Sequence, residues 1–269
     1  MIPFVKAHAC GNDFLIVDEA LAGGRHAELA RQLCERNTGV GADGVEFLDR
    51  TSMSLRLFNA DGSEAELSGN GTRCVAGWLA YSDGVQTVSL GTHGGPRDCR
   101  VVESRGERFE IETSMGVPSV REQTIHVPGV GTVQGAVVDV GNPHFVLFVD
   151  APDFQSHGLS WEDLGARICT HPDFPRGTNV EFVQVLSPTE IAFRIFERGV
   201  GPTRSSGTGT SASAAAGIVL RGCERALVAS SLGGAQQVNW PSGGALMLTG
   251  PAAIVCVGQA SVQLAEAPQ

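Results

Sequence analysis

The chain has 269 residues, of which 42% are hydrophobic and 18% are charged, and its formal net charge is −10 at pH 7. This composition is typical of folded globular domains, and the length is sufficient for two of them. The negative charge argues against nucleic-acid binding, and no apolar run is long enough to span a membrane. We therefore expect neither a nucleic-acid nor a membrane partner.

Short apolar segments and turns predict many strands in the first half, with two helices between them. Residues 27–36 have helical periodicity, with Leu29, Ala30 and Leu33 on one face, and residues 74–80 predict a second, buried helix. The expected strands are 1–17 (as strand, turn, strand), 45–48, 54–58, 87–90, 100–103 and 109–112.

The second half repeats this organisation. Helices are expected over 161–168 and 210–220, and the small residues of the second helix predict close packing by the surrounding strands. The expected strands are 135–140, 145–149, 180–185 and 190–196. A final strand, about 255–269, is expected to return to the first half. The sequence thus predicts an α+β fold of two domains, 1–116 (joined by this final strand) and 117–254, each a mostly antiparallel sheet wrapped around a central helix.

One block of sequence occurs twice in the same register, 138 residues apart. Arg56–Phe58 leads to Ser68-Gly69-Asn70-Gly71-Thr72, and Arg194–Phe196 leads to Ser206-Gly207-Thr208-Gly209-Thr210. Shorter pairs occur in the same order in both halves, and they include Val45-Glu46-Phe47 with Val180-Glu181-Phe182 and Gly11-Asn12 with Gly141-Asn142. We interpret this as a duplicated half that supplies two equivalent loop-to-helix corners.

A helix N-terminus with glycines is an anion site, because its first amides lack partners and carry partial positive charge. Two such ends that point into one cleft could hold a carboxylate and stabilise the charge formed when the adjacent carbon loses its proton. Ser68 and Ser206 would then lie on opposite sides of that carbon, as proton acceptor and donor. The alternative is that both serines only cap their helices. The backbone groups expected at the carboxylate are those of Gly69, Asn70, Gly207 and Thr208.

Five segments together resemble diaminopimelate epimerase, in order and over nearly the whole chain. They are Gly11–Phe14, Phe58–Glu64, Ser68–Cys74, Gly141–His144 and Glu197–Gly199. The resemblance implies two similar domains and an isomerase that needs no pyridoxal phosphate, other cofactor or metal. It also implies inversion of one α-carbon, from LL- to meso-diaminopimelate, for lysine and peptidoglycan precursor synthesis. In that family one cysteine thiolate removes the proton while an opposite thiol returns one.

The resemblance also implies roles for individual polar residues. Arg198 and Asn179 would bind the distal carboxylate of the substrate and Glu197 its ammonium group, since a buried zwitterion needs paired partners. The other substrate-binding residues implied are Asn12, Asn59, Asn142 and His144. The alternatives are that Asn12 and Asn59 serve only turns and that Glu197 and Arg198 form a surface pair.

The chain departs from the family where the two cysteines are expected, because Ser68 and Ser206 stand there. A serine hydroxyl is a much poorer base than a thiol and needs an activating neighbour. Three alternatives stay open: an epimerase with assisted serines, a related racemase or dehydratase, and an amino-acid-binding homologue with impaired catalysis. The neighbours Ser205, Thr210 and Ser211 also depart from the family, which indicates a natural variant.

The seven cysteines are scattered, without the spacing of zinc ligands, and predict reduced thiols in the cytoplasm. Two of them, Cys10 and Cys74, are candidates for a displaced catalytic thiol, although a buried structural role is the commoner outcome. The sequence leaves the oligomeric state open, with a homodimer as one candidate.

Overall fold

The computed structural model describes residues 1–262, and the chain forms two compact units. The first unit comprises Met1–Thr113 together with residues 251–262, and the second comprises Ser114–Gly250. Strand β17, Met247–Ala260, therefore begins in the second unit and ends in the first. The expected final strand extended to residue 269, and its positions 263–269 lie outside the described residues.

In the first unit, two α-helices interrupt a series of strands, and a short 3₁₀ helix follows the second strand. The helices are α1 (His26–Cys34) and α2 (Gly69–Asp83), and the 3₁₀ helix is Glu19–Leu21. The strands are β1 (Ile2–Ala9), β2 (Asn12–Asp18), β3 (Gly44–Asp49), β4 (Ser54–Asn59), β5 (Glu64–Ala65), β6 (Thr87–Leu90), β7 (Arg97–Arg105) and β8 (Arg108–Ser114). Most neighbours pair antiparallel, whereas β2 and β3 pair parallel because α1 lies between them in the chain.

Strand β2 is buried on both faces, which accounts for its continuous apolar sequence. Successive side chains of a strand point to opposite faces. Phe14 and Ile16 lie in the hydrophobic cluster that contains the α2 residue Leu79, whereas Leu15 and Val17 lie in the cluster that contains Leu29, Ala30 and Leu33 of α1. The predicted apolar face of α1 is therefore confirmed, and α2 is enclosed on the other side of the strand.

The second unit has the same organisation. Its helices are α3 (Trp161–Cys169) and α4 (Gly207–Arg221). Its strands are β9 (Ser119–Val127), β10 (Gly131–Asp139), β11 (Pro143–Phe148), β12 (Asn179–Ser187), β13 (Glu190–Glu197), β14 (Gly201–Thr203), β15 (Ala226–Ser231) and β16 (Gly234–Asn239). Again most pairs are antiparallel, with β11–β12 and β13–β15 parallel.

Helix α4 is central to the second unit. Every residue from Gly207 to Gly217 is buried, because glycine, alanine, serine and threonine let the surrounding strands approach closely. The predicted helix is confirmed, and it begins three residues before the expected Thr210. Together with α2 in the first unit, it confirms the α+β fold in which each sheet surrounds one helix. Within residues 1–262, no helix is long and apolar enough to cross a membrane.

Replacement of Leu79 by alanine should test the core around α2. The Leu79 side chain is fully buried, so its loss removes apolar contacts and leaves a cavity, at a cost of about 2–5 kcal/mol. Urea denaturation followed by circular dichroism would measure this change. Leu21→Ala is the matched control, because Leu21 is 39% exposed in the same unit. Equal losses for the two variants would contradict the assignment of Leu79 to the core.

Candidate active site

Both central helices begin in the same way, with a serine N-cap. Ser68 has an extended backbone (φ −124°, ψ 120°), and its Oγ accepts a hydrogen bond from the Gly71 amide at 3.0 Å. Ser206 is also extended (φ −142°, ψ 130°), and its Oγ accepts from the Gly209 amide at 3.2 Å. The capping role of the two serines is therefore confirmed.

In each helix a threonine of the first turn forms a hydrogen bond back to the N-cap serine. Thr72 Oγ1 donates to the Ser68 carbonyl oxygen at 2.7 Å, and Thr210 Oγ1 donates to the Ser206 carbonyl oxygen at the same distance. These bonds explain why the repeated block ends in threonine. The two Ser-Gly-x-Gly-Thr segments thus have one geometry, as the duplication predicts.

Two residues of each helix precede the glycine whose amide the serine caps. The first amides of an α-helix have no acceptor within it and carry partial positive charge. In α2 these groups belong to Gly69 and Asn70, and in α4 to Gly207 and Thr208. All four residues are buried, so the helices present their positive ends inside the protein.

In the first unit, Asn12 and Asn70 are brought together as predicted site residues. Asn70 Nδ2 donates to Asn12 Oδ1 at 3.1 Å, and Arg73 Nη2 donates to Asn70 Oδ1 at 2.6 Å. Asn12 Nδ2 in turn donates to Asp43 Oδ2 at 2.7 Å, and Arg36 is ion-paired with Asp43. The Asn12 side chain is therefore held by the β2–α2 network rather than only serving the turn that precedes it.

In the second unit, a hydrogen-bonded series leads from the serine into the core. Ser206 Oγ and Thr208 Oγ1 are 3.2 Å apart, and Asn142 Nδ2 donates to Thr208 Oγ1 at 3.4 Å. The His144 ring then joins Asn142 Oδ1, 2.9 Å from Nε2, to Glu181 Oε1, 2.6 Å from Nδ1. His144 and Glu181 are fully buried. Burial raises the pKa of Glu181, an effect that His144 partly offsets.

Asn179, Glu197 and Arg198 form a second group in the same unit. Asn179 Oδ1 accepts a hydrogen bond from the Arg198 amide at 2.9 Å, and Asn179 Nδ2 donates to the Pro143 carbonyl oxygen at 3.2 Å. Glu197 Oε1 accepts from Thr203 Oγ1 at 2.5 Å. The Arg198 guanidinium itself donates through Nη1 to the Arg176 carbonyl oxygen at 3.0 Å. The three residues thus lie together where β12 begins and β13 ends.

Asn59 belongs to the first unit, where it ends strand β4. Its Nδ2 donates to Ser63 Oγ at 3.0 Å, and its amide donates to the Ser63 carbonyl oxygen at 2.9 Å. The turn role considered for Asn59 is therefore present in the structure. A substrate role for this residue stays a prediction.

The cysteines considered as displaced thiols are both buried. Cys74 is fully buried within α2, and this burial raises the pKa of its thiol, which opposes thiolate formation. Cys10 is 4% exposed and lies in the turn before Asn12, with a positive φ of 53°. Its place beside Asn12 keeps it near the predicted site, whereas Cys74 fits the structural alternative. In residues 1–262, no cluster of three or more metal-ligating side chains occurs.

A buried carboxyl, that of Glu46, lies at the first corner, although the sequence did not indicate Glu46 as a site residue. Glu46 on β3 is 2% exposed, and its Oε1 lies so close to Gly71 that a Cβ at that position would be 2.0 Å away. Burial alone raises the pKa of this carboxyl to about 8. The signal in the sequence was a glutamate between Val45 and Phe47, an acidic residue within a buried strand.

Comparison with known proteins gives the same fold and identifies a family. The structure is similar to a hydroxyproline epimerase from Agrobacterium vitis (TM-score 0.72, 18% identity, covering 96% of this chain and 91% of that one). It is also similar to a PhzF-family phenazine biosynthesis protein from Bacillus anthracis (TM-score 0.71, 14% identity, covering 97% and 99%). At this level of identity the similarity concerns the fold alone.

The sequence comparison is more specific. The profile of the diaminopimelate epimerase family matches residues 4–120 and 136–255. The diaminopimelate epimerase of Carboxydothermus hydrogenoformans is 36% identical over 95% of this chain and 98% of its own length. That of Pelotomaculum thermopropionicum is 37% identical over the same shares. The chain belongs to the diaminopimelate epimerase family.

Replacement of Glu46 by glutamine should stabilise the fold increasingly as the pH rises. The ordinary pKa of a glutamate, 4.5, applies to the unfolded chain, whereas the folded value is about 8. The contribution of Glu46 to stability is therefore most favourable below pH 4.5 and falls as the pH rises towards 8, by at most about 1.4 kcal/mol per pH unit. The Glu46→Gln variant has no carboxyl at this position, so it does not lose this stability as the pH rises.

Urea denaturation at pH 5, 6.5 and 8 would measure the difference between variant and wild type. Glu112→Gln is the control, because Glu112 is partly exposed and ion-paired with Arg100, and its effect should not grow over this range. A Glu46→Gln difference that is independent of pH would contradict the raised pKa.

Proposed function

We propose that this chain converts LL-diaminopimelate into meso-diaminopimelate by proton transfer at one α-carbon, without pyridoxal phosphate or another cofactor. The observation that carries the proposal is the pair of equivalent serine-capped helix N-termini in a member of the diaminopimelate epimerase family. The reaction would supply a precursor of lysine and peptidoglycan. We further propose a cytoplasmic location, consistent with seven free cysteines.

The helix N-termini are suited to stabilise the negative charge that this reaction leaves on the substrate, which is its main energetic difficulty. When the α-carbon loses its proton, charge moves onto the adjacent carboxylate. Preorganised amides of Gly69, Asn70, Gly207 and Thr208 would stabilise this charge, and a single such donor is typically worth about 3 kcal/mol. The same groups bind the carboxylate of the ground state, so specificity and catalysis share one set of donors.

The caps also make serine a better proton-transfer group than it is in water. The amide that donates to Ser68 Oγ or Ser206 Oγ stabilises negative charge on that oxygen, and the positive end of the helix acts in the same direction. We propose that one serine removes the α-proton while the other returns a proton to the opposite face. Serine still ionises far less readily than a thiol, so we expect slower turnover than with cysteine.

The group formed by Asn179, Glu197 and Arg198 suits the distal end of diaminopimelate. A guanidinium binds a carboxylate by charge-assisted hydrogen bonds, and a carboxylate binds an ammonium group. We propose that Arg198 and Asn179 hold the distal carboxylate, and that Glu197 holds the distal ammonium together with Asn59. A racemase for amino acids without a second amino-acid end would not need this group.

Replacement of Ser68 and of Ser206 is the decisive test of this function. Ser68→Ala and Ser206→Ala should each lower kcat by about 100-fold or more, because one proton-transfer group is lost, while diaminopimelate still binds. The double variant Ser68→Cys with Ser206→Cys should turn over faster than wild type. Chiral chromatography of LL- and meso-diaminopimelate measures conversion, and calorimetry measures binding.

Ser213→Ala is the matched control for these serine variants, since Ser213 is fully buried in α4 but belongs to no corner. Its kcat should stay at the wild-type value. Unchanged turnover in Ser68→Ala and Ser206→Ala would contradict the assignment. Binding without conversion by the wild type would instead favour the amino-acid-binding homologue, and formation of an unsaturated product would favour the dehydratase.

Removal of the Arg198 guanidinium should impair recognition of the distal end. Arg198→Ala is expected to raise KM for LL-diaminopimelate by about 10-fold or more, because a charge-assisted hydrogen bond is worth about 1.5–3 kcal/mol. Steady-state kinetics measures the change. Arg204→Ala is the control, because the bond described for the Arg204 guanidinium is one from Nη2 to the Leu232 carbonyl oxygen. An unaffected KM in Arg198→Ala would contradict the distal-end assignment.

A further inference from the structure

The N-cap serine of α4 has a hydroxyl neighbour as well as an amide donor. Ser206 Oγ lies 3.2 Å from Oγ1 of Thr208, the second residue of the helix, and accepts from the Gly209 amide at the same distance. Thr208 is 3% exposed and Ser206 is 6% exposed, so both hydroxyls are shielded from water. Buried hydroxyl groups are nearly always hydrogen-bonded, and the direction of the bond between these two oxygens decides what Ser206 can do.

The direction is set by the other partner of Thr208. Asn142 Nδ2 donates to Thr208 Oγ1 at 3.4 Å, and a hydroxyl that accepts in this way keeps its own hydrogen for donation. Ser206 Oγ is the acceptor described within reach of that hydrogen. The opposite direction would leave the Thr208 hydrogen without an acceptor among residues 1–262, which is costly for a buried donor. Thr208 therefore donates to Ser206 Oγ.

The Asn142 amide is in turn oriented by a buried histidine. Asn142 Oδ1 lies 2.9 Å from His144 Nε2, and His144 Nδ1 lies 2.6 Å from Glu181 Oε1. Since an amide oxygen only accepts, the imidazole carries a hydrogen on Nε2, and the amide nitrogen of Asn142 faces Thr208. His144 and Glu181 are fully buried, so solvent does not compete with this arrangement.

The first corner has a different residue at the equivalent position of its helix. This residue is Asn70, whose Nδ2 donates to Asn12 Oδ1 at 3.1 Å. The hydrogen bond described for Ser68 Oγ is the one from the Gly71 amide. Ser206 Oγ thus accepts two hydrogen bonds where Ser68 Oγ accepts one, although the two caps are otherwise alike.

We propose that the Thr208 hydroxyl is a positioning group for proton transfer, because its hydrogen bond stabilises negative charge on Ser206 Oγ. Two donors stabilise an alkoxide better than one, so Ser206 ionises more readily than Ser68. Thr208 acts through Ser206 and does not itself exchange a proton with the substrate. The inference rests on the proposed function and extends it by distinguishing the two serines.

In the direction in which Ser206 acts as base, its hydroxyl first loses a proton to water. The Ser206 alkoxide then takes the proton of the α-carbon, and the electron pair of the broken C–H bond stays on the substrate. The Ser68 hydroxyl donates its proton to the opposite face, and the Ser68 alkoxide regains a proton from water. Thr208 keeps its own proton throughout and acts only by its hydrogen bond.

Replacement of Thr208 by valine tests this role, since valine keeps the branched shape and lacks the hydroxyl. Thr208→Val should lower kcat for LL-diaminopimelate by about 10- to 100-fold and change KM by less than about twofold, because the backbone amide is kept. Thr208→Ser keeps the hydroxyl and should restore most of kcat, whereas a role in packing alone would give the opposite order. Thr113→Val is the matched control, because Thr113 is fully buried in β8 of the first unit, and its kcat should stay at the wild-type value.

A thiol placed at the cap measures the same hydrogen bond without turnover. In Ser206→Cys, alkylation at a series of pH values followed by peptide mass spectrometry gives the pKa of the introduced thiol. Addition of Thr208→Val should raise this pKa by about one unit, because a donor to the thiolate is lost. In Ser68→Cys the same addition should leave the pKa of the introduced thiol unchanged.

The outcomes separate this inference from the proposed function. Wild-type turnover with an unchanged kcat in Thr208→Val overturns the inference and leaves the function intact. Absence of wild-type turnover overturns the function, and the thiol titration then decides the inference alone. A thiol pKa in Ser206→Cys that does not respond to Thr208→Val, or an equal rise in both cysteine variants, overturns the inference.

Discussion

The central helices α2 and α4 begin inside their units, where their first amides are shielded from water and must find acceptors from the protein or a ligand. Serine side chains satisfy one amide in each helix, and threonine hydroxyls secure the serine carbonyls. The positive ends of both helices lie at these same corners. The serine positions and the glycines of the repeated block follow from this single requirement, and the carboxylate binding proposed above would use the same helix ends.

The two units meet this requirement with different supporting groups. In the second, Thr208, Asn142, His144 and Glu181 form a hydrogen-bonded series that ends in a buried imidazole–carboxyl pair. In the first, Phe14 replaces the histidine, and Glu46 is left in an apolar environment. A reaction that removes a proton on one side and returns one on the other does not need identical groups, so this difference is compatible with a duplicated fold.

Much of the fold could be predicted from the sequence because large apolar residues follow a clear helical period in α1 and form a continuous run in the doubly buried strand β2. Strands β9, β15 and β16 were missed, since they alternate through small and polar residues such as Gln123, Ser230 and Gln237. Among the candidate site residues, Ser68 and Ser206 were singled out from the repeat and from helix-capping chemistry. Glu46 was not, because only the sheet register and the space left by Gly71 bring its carboxyl to the corner.

We have proposed that serine-capped helix ends carry out the proton transfer at carbon that the family resemblance assigns to thiols. Incubation of LL-diaminopimelate with the wild-type protein in D₂O, followed by proton NMR and mass spectrometry, tests it most directly. We expect meso-diaminopimelate that carries one solvent deuterium at the inverted carbon, with exchange lost in Ser68→Ala and Ser206→Ala. Saturable binding without loss of the α-proton signal would contradict it.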